Sequence, residues 1–339
     1  MSGHIAVKFA QAADKDEIIV AAEGLSIDLW ERAHFKIALK GPKDFREEAF
    51  DLQPRVHALI ERAKPDLIVV CAGSPVNFER EFAFAGNAAG IPVVLLNDFW
   101  NGAIRLQSPD HGYPSLFAVV AIDEHDALLA QKIYKDAHVF VGGNPGVVDV
   151  LVPLALKMRL RELREKHDAL IVFAGASTFD DLDLCVRSME KTPGALIPRF
   201  HPKRLGELID DGRRTRGDRW NEMIASLEAQ DRIVRMDDLK STDPLAVEAD
   251  VTCAGFSTSL TTAAAAGGRS VVLWSEGDVK ASLLSQVAID ASPHESLGIS
   301  RLITEPQNLL TLKPCYQAVR EKLRPYDPKL VYESIVAKL

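Results

Sequence analysis

The stretch Gly90-Ile91-Pro92-Val93-Val94-Leu95-Leu96-Asn97-Asp98 decides the fold class. Glycine caps a helix that ends there, and proline forbids its continuation. Four apolar residues follow without alternation, the pattern of a short parallel strand covered on both faces. The strand then ends in an amide and a carboxylate. Working outward, the same strand–helix alternation recurs almost throughout. The first half carries strand patterns at 17–21, 67–71, 93–96, 118–122 and 139–141, with helices at 45–63 and 78–89. Punctuation is densest at Gly142-Gly143-Asn144-Pro145-Gly146, and a charged helix over 150–167 follows. The second half restarts with strands at 169–174, 195–200, 232–236, 251–254 and 271–274. Helices are expected there at 181–191, 218–229, 258–266 and 279–289, and a last helix at 328–339 follows Pro325 and Pro328.

This pattern predicts an α/β protein of two Rossmann-like, doubly wound parallel-sheet domains with an interdomain cleft. The expected division is 1–147 for an acceptor-side domain and 148–325 for a nucleotide-sugar-binding domain. Residues 326–339 form a final helix placed to pack back on the first domain. A length of 339 residues suits two domains of about 150 residues each. Apolar residues make up 47% and charged ones 26%, an ordinary globular composition. A net charge of -8 argues against a binder that neutralises nucleic-acid phosphates. The apolar runs are strand-length, too short for a membrane span, and no charged-then-apolar leader precedes His4. Cys71, Cys185, Cys253 and Cys315 lack the paired spacing of a zinc site or a disulfide framework. The cytoplasm is the expected location, with peripheral contact to the inner face of a membrane as an added option.

Open parallel sheets bind ligands beyond the carboxyl ends of their strands, so the loops there hold the candidate chemistry. Gly175-Ala176-Ser177-Thr178 is small enough for its amides to approach a phosphate, with hydroxyls from Ser177 and Thr178; a plain helix cap is the alternative. Arg199-Phe200-His201-Pro202-Lys203-Arg204 places a basic cluster at a strand end, where Arg199, His201 and Lys203 can meet phosphates or a pyrimidine. A solvated basic turn reads equally simply. Gly255-Phe256-Ser257-Thr258-Ser259 opens an alanine-rich helix whose free amides favour an anion by roughly 0.3–1 kcal/mol. Glu276 and Asp278 can accept from sugar hydroxyls, or Asp278 can cap the next helix. In the first half, Asp98 lies among Asn97, Phe99 and Trp100; it can serve as a base, or orient His4 and raise its pKa. Alternatively it starts a turn while the aromatics seal the floor. No G-x-G-x-x-G, Walker-type or G-x-S-x-G spacing occurs, and Asp237-Asp238 is the one aspartate pair at a strand end.

These loops together resemble the glycosyltransferases of the GT-B fold and the related non-hydrolysing UDP-N-acetylglucosamine epimerases. Gly3-His4-Ile5 with its following helix looks like the Gly-His turn of the lipid II-forming N-acetylglucosaminyltransferase and of UDP-glycosyltransferases. The segment 90–98 is similar to their acceptor-site stretch. Val141-Gly142-Gly143-Asn144-Pro145 with Asp149 is similar to the hinge leaving their first domain. His201-Pro202-Lys203 and Ser257-Thr258-Ser259 are similar to donor-site elements of the glycerophosphotransferase and capsule-type branch.

The resemblance implies a metal-independent glycosyltransferase that needs no cofactor. Its donor would be a nucleotide-diphosphate sugar, and its acceptor a cell-envelope glycan, a lipid-linked sugar or a small molecule. His4, helped by Asp98, would deprotonate the acceptor hydroxyl. Amides near Ser257 and the Arg199–Lys203 cluster would hold the leaving diphosphate. A sugar-nucleotide epimerase or hydrolase is the second expectation, and a non-catalytic scaffold of the same fold the third. Two departures stand out. The strand that launches the Gly-His turn is missing from the pattern, and Thr261, Thr262, Ala263 and Ala264 leave the Ser257 helix without the family's ribose-binding carboxylate. The helix carrying Lys157, Arg159, Arg161, Arg164 and Lys166 can dock an anionic membrane or partner, or simply face solvent.

Overall fold

The computed structural model describes residues 2–22, 26–41, 52–71, 77–147, 150–175, 178–200, 205–209, 212–274 and 291–339. The chain forms two compact units, Met1–Pro145 with Arg324–Leu339, and Gly146–Leu323.

Unit 1 opens with α1 (Ser2–Ala12), then β1 (Val20–Ala22), α2 (Ser26–Arg32), β2 (Ile37–Lys40), α3 (Leu52–Ala63), β3 (Ile68–Cys71) and α4 (Asn77–Ala88). It continues through β4 (Val93–Leu96), a 3₁₀ turn (Gly102–Leu106), β5 (Ala118–Ala121), α5 (Glu124–Ile133) and β6 (His138–Val141). β4 and β5 are buried along their whole length, as expected of parallel strands with helices on both faces. Unit 1 holds two parallel sheets, β1-β2 and β3-β4-β5-β6.

The first strand begins three residues later than the sequence indicates. β2 escaped the pattern because Ile37-Ala38-Leu39 is flanked by lysines and only Leu39 is buried. The helix expected over 45–63 is present as Leu52–Ala63; residues 42–51 lie outside the described ones.

The C-terminal helix Pro328–Val336 packs in this unit. Its Val331 and Ile335 share a core cluster with Ile5 and Phe9 of α1 and with Val94, Leu96 and Val120 of the sheet. Tyr332 Oη donates to Asp16 Oδ2 at 2.8 Å. The glycine pair before Asn144 makes this return possible. Gly143 holds φ +101°, and a Cβ there would lie 2.1 Å from the Pro325 carbonyl oxygen. Asn144 and Pro325 form a parallel bridge at that point.

Unit 2 runs α6 (Leu154–Lys166), β7 (Leu170–Ala174), α7 (Asp180–Met189), β8 (Ala195–Arg199), a two-residue hairpin β9 (Leu208–Ile209) and β10 (Arg214–Thr215), α8 (Arg216–Glu228) and α9 (Asp243–Glu248). β11 (Val251–Ala254), α10 (Thr258–Ala265), β12 (Arg269–Leu273), α11 (Pro293–Ser296), β13 (Arg301–Ile303) and α12 (Tyr316–Lys322) complete it. One parallel sheet has the order β13-β12-β11-β7-β8.

The stretch expected as a strand at 232–236 makes only a bridge from Ile233 to Leu196, with Leu196 N donating to Arg232 O and Val234 N to Leu196 O. It extends the sheet past β8 without becoming a full strand. β13 was missed because three residues, Arg-Leu-Ile, carry too little pattern. The expected helix at 279–289 lies outside the described residues. α6 starts at Leu154 rather than 150, with Pro153 at its N-cap, where a missing N–H is harmless. Phe173, Leu182, Trp220 and Ile224 fill the core on one face of the sheet, each fully buried side chain contributing roughly 1.5–3 kcal/mol. Cys185 and Cys253 add a pair of buried thiols, Sγ–Sγ 3.6 Å.

Candidate functional site

The unit 2 sheet is wound both ways from its centre. From β7 the chain passes outward to β8 on one side and returns on the other as β11, continuing to β12 and β13. β7 and β11 therefore flank the topological switch point, where open α/β sheets bind ligands beyond the strands' carboxyl ends. The two loops that leave there are Gly175–Thr178 and Gly255–Ser257, both singled out in the sequence.

Ser257 caps α10 in extended conformation (φ -154°, ψ 140°), and its side chain accepts from Ser259 N at 3.3 Å. Ser259 is buried, while Ser257 and Thr258 are half-buried at the helix mouth. Small residues let α10 lie close on the sheet; Leu260 through Ala264 are all buried. Thr262 Oγ1 donates to Gly146 O at 3.0 Å, tying the helix to the start of unit 2.

Beneath the two strand ends sit Asp181, which the sequence marks only as a first-turn complement to the helix dipole, and His294, which it does not mark at all. Asp181, in the first turn of α7, is fully buried, and its Oδ1 accepts from Leu182 N at 2.8 Å. Its Oδ2 lies so near Gly255 that a Cβ on that glycine would come within 2.9 Å, which is why the position is glycine. Burial pushes the Asp181 carboxyl up to about 7. The Thr178 hydroxyl and the Gly255 amide approach it, but Thr178 Oγ1 and Asp181 Oδ2 have no hydrogen-bond partner among the described residues. His294, fully buried on α11, places Nε2 3.2 Å from Thr261 Oγ1, close to the Ser257 main chain. Burial lowers its pKa to about 3, so the imidazole is neutral. It braces the cap of α10 from inside the protein. Nothing in Ser292-Pro293-His294-Glu295 announces this, because the contact spans 33 residues.

Arg199 is placed differently from a free phosphate ligand. Its terminal nitrogens donate to Met236 O and Leu239 O, both at 2.5 Å, so the guanidinium braces the loop after the edge segment. Ser177, His201, Lys203, Glu276 and Asp278 lie outside the described residues, as does Asp149.

In unit 1, His4 stands exposed in the first turn of α1. Its pKa is lowered by partial burial first, then by the N-terminus, Lys8 and Arg32, the opposite of the rise expected from Asp98. Asp98 is buried just past β4, and among the described residues no hydrogen bond or ion pair joins it to His4. The neighbours of Asp98 are clamped inward. Asn97 Nδ2 donates to Asp126 Oδ2 at 2.8 Å, Asn101 N to Asp126 Oδ1 at 2.6 Å, and Ile122 N to Asp126 Oδ2 at 3.1 Å. Trp100 Nε1 donates to Asp123 Oδ2 at 2.8 Å. Burial lifts the Asp126 carboxyl to about 7 despite these donors. The turn with its unusual polar and aromatic residues is thus held from below by the cap of α5.

The basic helix α6 is largely neutralised. Lys157 pairs with Glu248, Arg159 with Asp238, Arg161 with Glu165, Arg164 with Asp250 and Lys166 with Asp231, at 2.7–3.8 Å. Asp238, of the one aspartate pair at a strand end, is held in that way. Among the described residues no helix is long and apolar enough to cross a membrane.

No family model and no characterised protein sequence matches the chain. Solved structures do. HepE from Anabaena, in complex with UDP and glucose, superimposes with a TM-score of 0.63 at 14% identity, over 99% of this chain and 95% of that one. The UDP-N-acetylglucosamine 2-epimerase of Neisseria meningitidis, bound to UDP-N-acetylglucosamine, gives 0.59 at 11% identity over 99% and 96%. MurG from Acinetobacter baumannii gives 0.56 at 12% over 99% and 96%. At such identities the likeness establishes the fold: two Rossmann-like domains of the GT-B class.

Proposed function

We propose that the protein is a sugar-nucleotide enzyme that holds the diphosphate of its donor at the unit 2 switch point. The observation that carries this reading is the juxtaposition of the Ser257-capped amino end of α10 with Gly175 and Thr178 at adjacent strand ends. The helix amides and the two hydroxyls at the mouth, Ser257 and Thr258, meet the phosphates, and Thr178 reaches the same group from the neighbouring loop. Within this reading we favour metal-independent glycosyl transfer to a glycan, lipid-linked or small-molecule acceptor. His4 suits the base, since its lowered pKa keeps the imidazole neutral near pH 7. α10 carries no acidic residue, so a ribose contact comes from another element.

Epimerisation of the sugar nucleotide is the second reading, favoured by the several epimerases among the structures of like fold.

Titration with UDP, CDP and their sugars under thermal denaturation tests the shared premise. A ligand at ~100 times its dissociation constant adds about 2.7 kcal/mol of stability, and Ser257→Ala weakens that gain. If no nucleotide binds, the premise fails. Donor incubated alone then separates the two readings, because only an epimerase accumulates a stereoisomer of the intact sugar nucleotide.

A further inference from the structure

Unit 2 supplies a template for reading unit 1. Its sheet runs from the edge segment 232–234 through β8, β7, β11 and β12 to β13, with α7 crossing from β7 to β8. Unit 1 holds two separate sheets, and laid on that template they read β2, β1, an open place where unit 2 has β7, then β3, β4, β5 and β6. Among the described residues β1 pairs only with β2, and β3 pairs only with β4.

The two short sheets nevertheless share their covers. On one face, α1 lays Ala10 against Val20 and Ala22 of β1, and Ile5 and Phe9 against Cys71, Val94 and Leu96. Ala6 packs against both groups. On the other face, Val56, Leu59 and Ile60 of α3 meet Leu39 of β2 together with Ile68 and Val70 of β3. One helix on each face thus holds β1 and β3 in a single layer. Ala22 O and Ile68 N turn to Gly41 and Pro92 on the paired sides. The facing edges are therefore formed by the main-chain groups of the alternate residues Ala21, Val69 and Cys71, half-buried or buried, which have no ladder partner on that side among the described residues. Buried N–H and C=O groups require partners. α1 itself is a crossover helix leading into β1, the counterpart of β8, and parallel strands are joined by such helices.

We propose that the open place is a strand position, filled by polypeptide preceding Met1 that runs parallel to its neighbours and directly into α1. It would close the two sheets of unit 1 into one. Its counterpart β7 is buried at all five positions. The occupant is therefore a run of about five apolar residues without alternation. Its carboxyl end fixes Gly3-His4 at the switch point of unit 1, as β7 fixes Gly175 in unit 2. This inference does not depend on the proposed activity.

The test is the intact mass and N-terminal sequence of the protein purified from its own cells. The expected result is a mass above 37.2 kDa and an apolar run ending just before Ser2. Hydrogen exchange provides the second measurement. Amides of 20–22 and 68–71 should exchange at least about tenfold more slowly in that form than in the chain starting at Met1. A native N-terminus at Met1 or Ser2, an extension lacking the run, unchanged exchange at both strands, or occupancy by a separate co-purifying chain would each overturn the proposal.

Discussion

The two units put buried titratable groups under the loops at their strand ends, but they use them in opposite ways. In unit 1, Asp123 and Asp126 turn inward and accept from Trp100, Asn97, Asn101 and Ile122, so the loop after β4 is locked by acid groups. In unit 2, a neutral imidazole braces the start of α10 through Thr261, and a protonatable carboxyl lies beneath Gly255 with one oxygen lacking a partner among the described residues. Locked acceptors hold the unit 1 loop in place from below. Beneath the α10 mouth the imidazole is neutral, and the helix dipole favours an anion at that end. This difference suits the proposed placement of the diphosphate at unit 2.

The contrast breaks most visibly at Asp126. Asp126→Leu leaves three donors buried and unsatisfied, and chemical denaturation should show a loss of about 3–5 kcal/mol. Asp126→Asn should cost much less, because the carboxyl, with a pKa of about 7, is already half protonated near neutrality. A loss below about 1 kcal/mol for the leucine variant would mean that the acid cluster does not hold the loop.

His294 gives the next largest effect, and it runs with pH. Its folded pKa of about 3 lies below the ordinary 6.5, so between these values the unfolded chain binds a proton that the native state lacks. Its contribution is intact above pH 6.5 and is lost as pH falls toward 3. Asp126 and Asp181, raised to about 7, act in the other direction: their contribution is full below 3.8 and is lost as pH rises through 7. Comparing wild type with His294→Gln separates the two. Between pH 6.5 and 4 the variant should be spared about 3 kcal/mol of the wild type's acid-induced loss. Parallel stability curves for the two proteins would show that the imidazole is not buried neutral.

The same contrast explains what the sequence could disclose. Strand–helix alternation around 93–96, 118–121, 170–174 and 251–254 is legible because fully covered parallel strands are continuous apolar runs. β2 and β13 were lost because they are short edge strands half made of charge. The Gly255–Ser257 mouth was readable, since a glycine followed by hydroxyl residues and alanines has a local meaning. His294 and Asp181 were not, because their partners are brought together only by the sheet. Arg199 is only partly legible for a related reason. Sequence reports its charge at a strand end, while its partners, two main-chain carbonyls at 236 and 239, leave no mark in side-chain identity. The Gly142-Gly143 pair reads as a hinge, yet Gly143 is required by the returning Pro325.

Arg199→Ala sharpens the comparison within unit 2 by separating bracing from binding. Losing two donors to main-chain carbonyls should cost about 1.5–3 kcal/mol in thermal unfolding. If bracing is the side chain's whole role, nucleotide affinity should fall by less than about threefold; a loss of about tenfold, 1.4 kcal/mol, would return Arg199 to the phosphates.

Ser257→Ala should have the smallest effect on stability, about 1 kcal/mol for a lost N-cap. His294 still meets Thr261 one turn into α10, so the helix start should stay in place. Nucleotide affinity should nevertheless drop, because the hydroxyl lost from the cap is also one of the groups at the helix mouth. Ser257→Thr keeps a capping hydroxyl and should restore both properties. Rescue of stability without rescue of binding would place the added methyl in the ligand's path; full binding by the alanine variant would move the diphosphate away from α10. The outcome decides whether the mouth of this helix, rather than the locked loops of unit 1, is where an anion enters the protein.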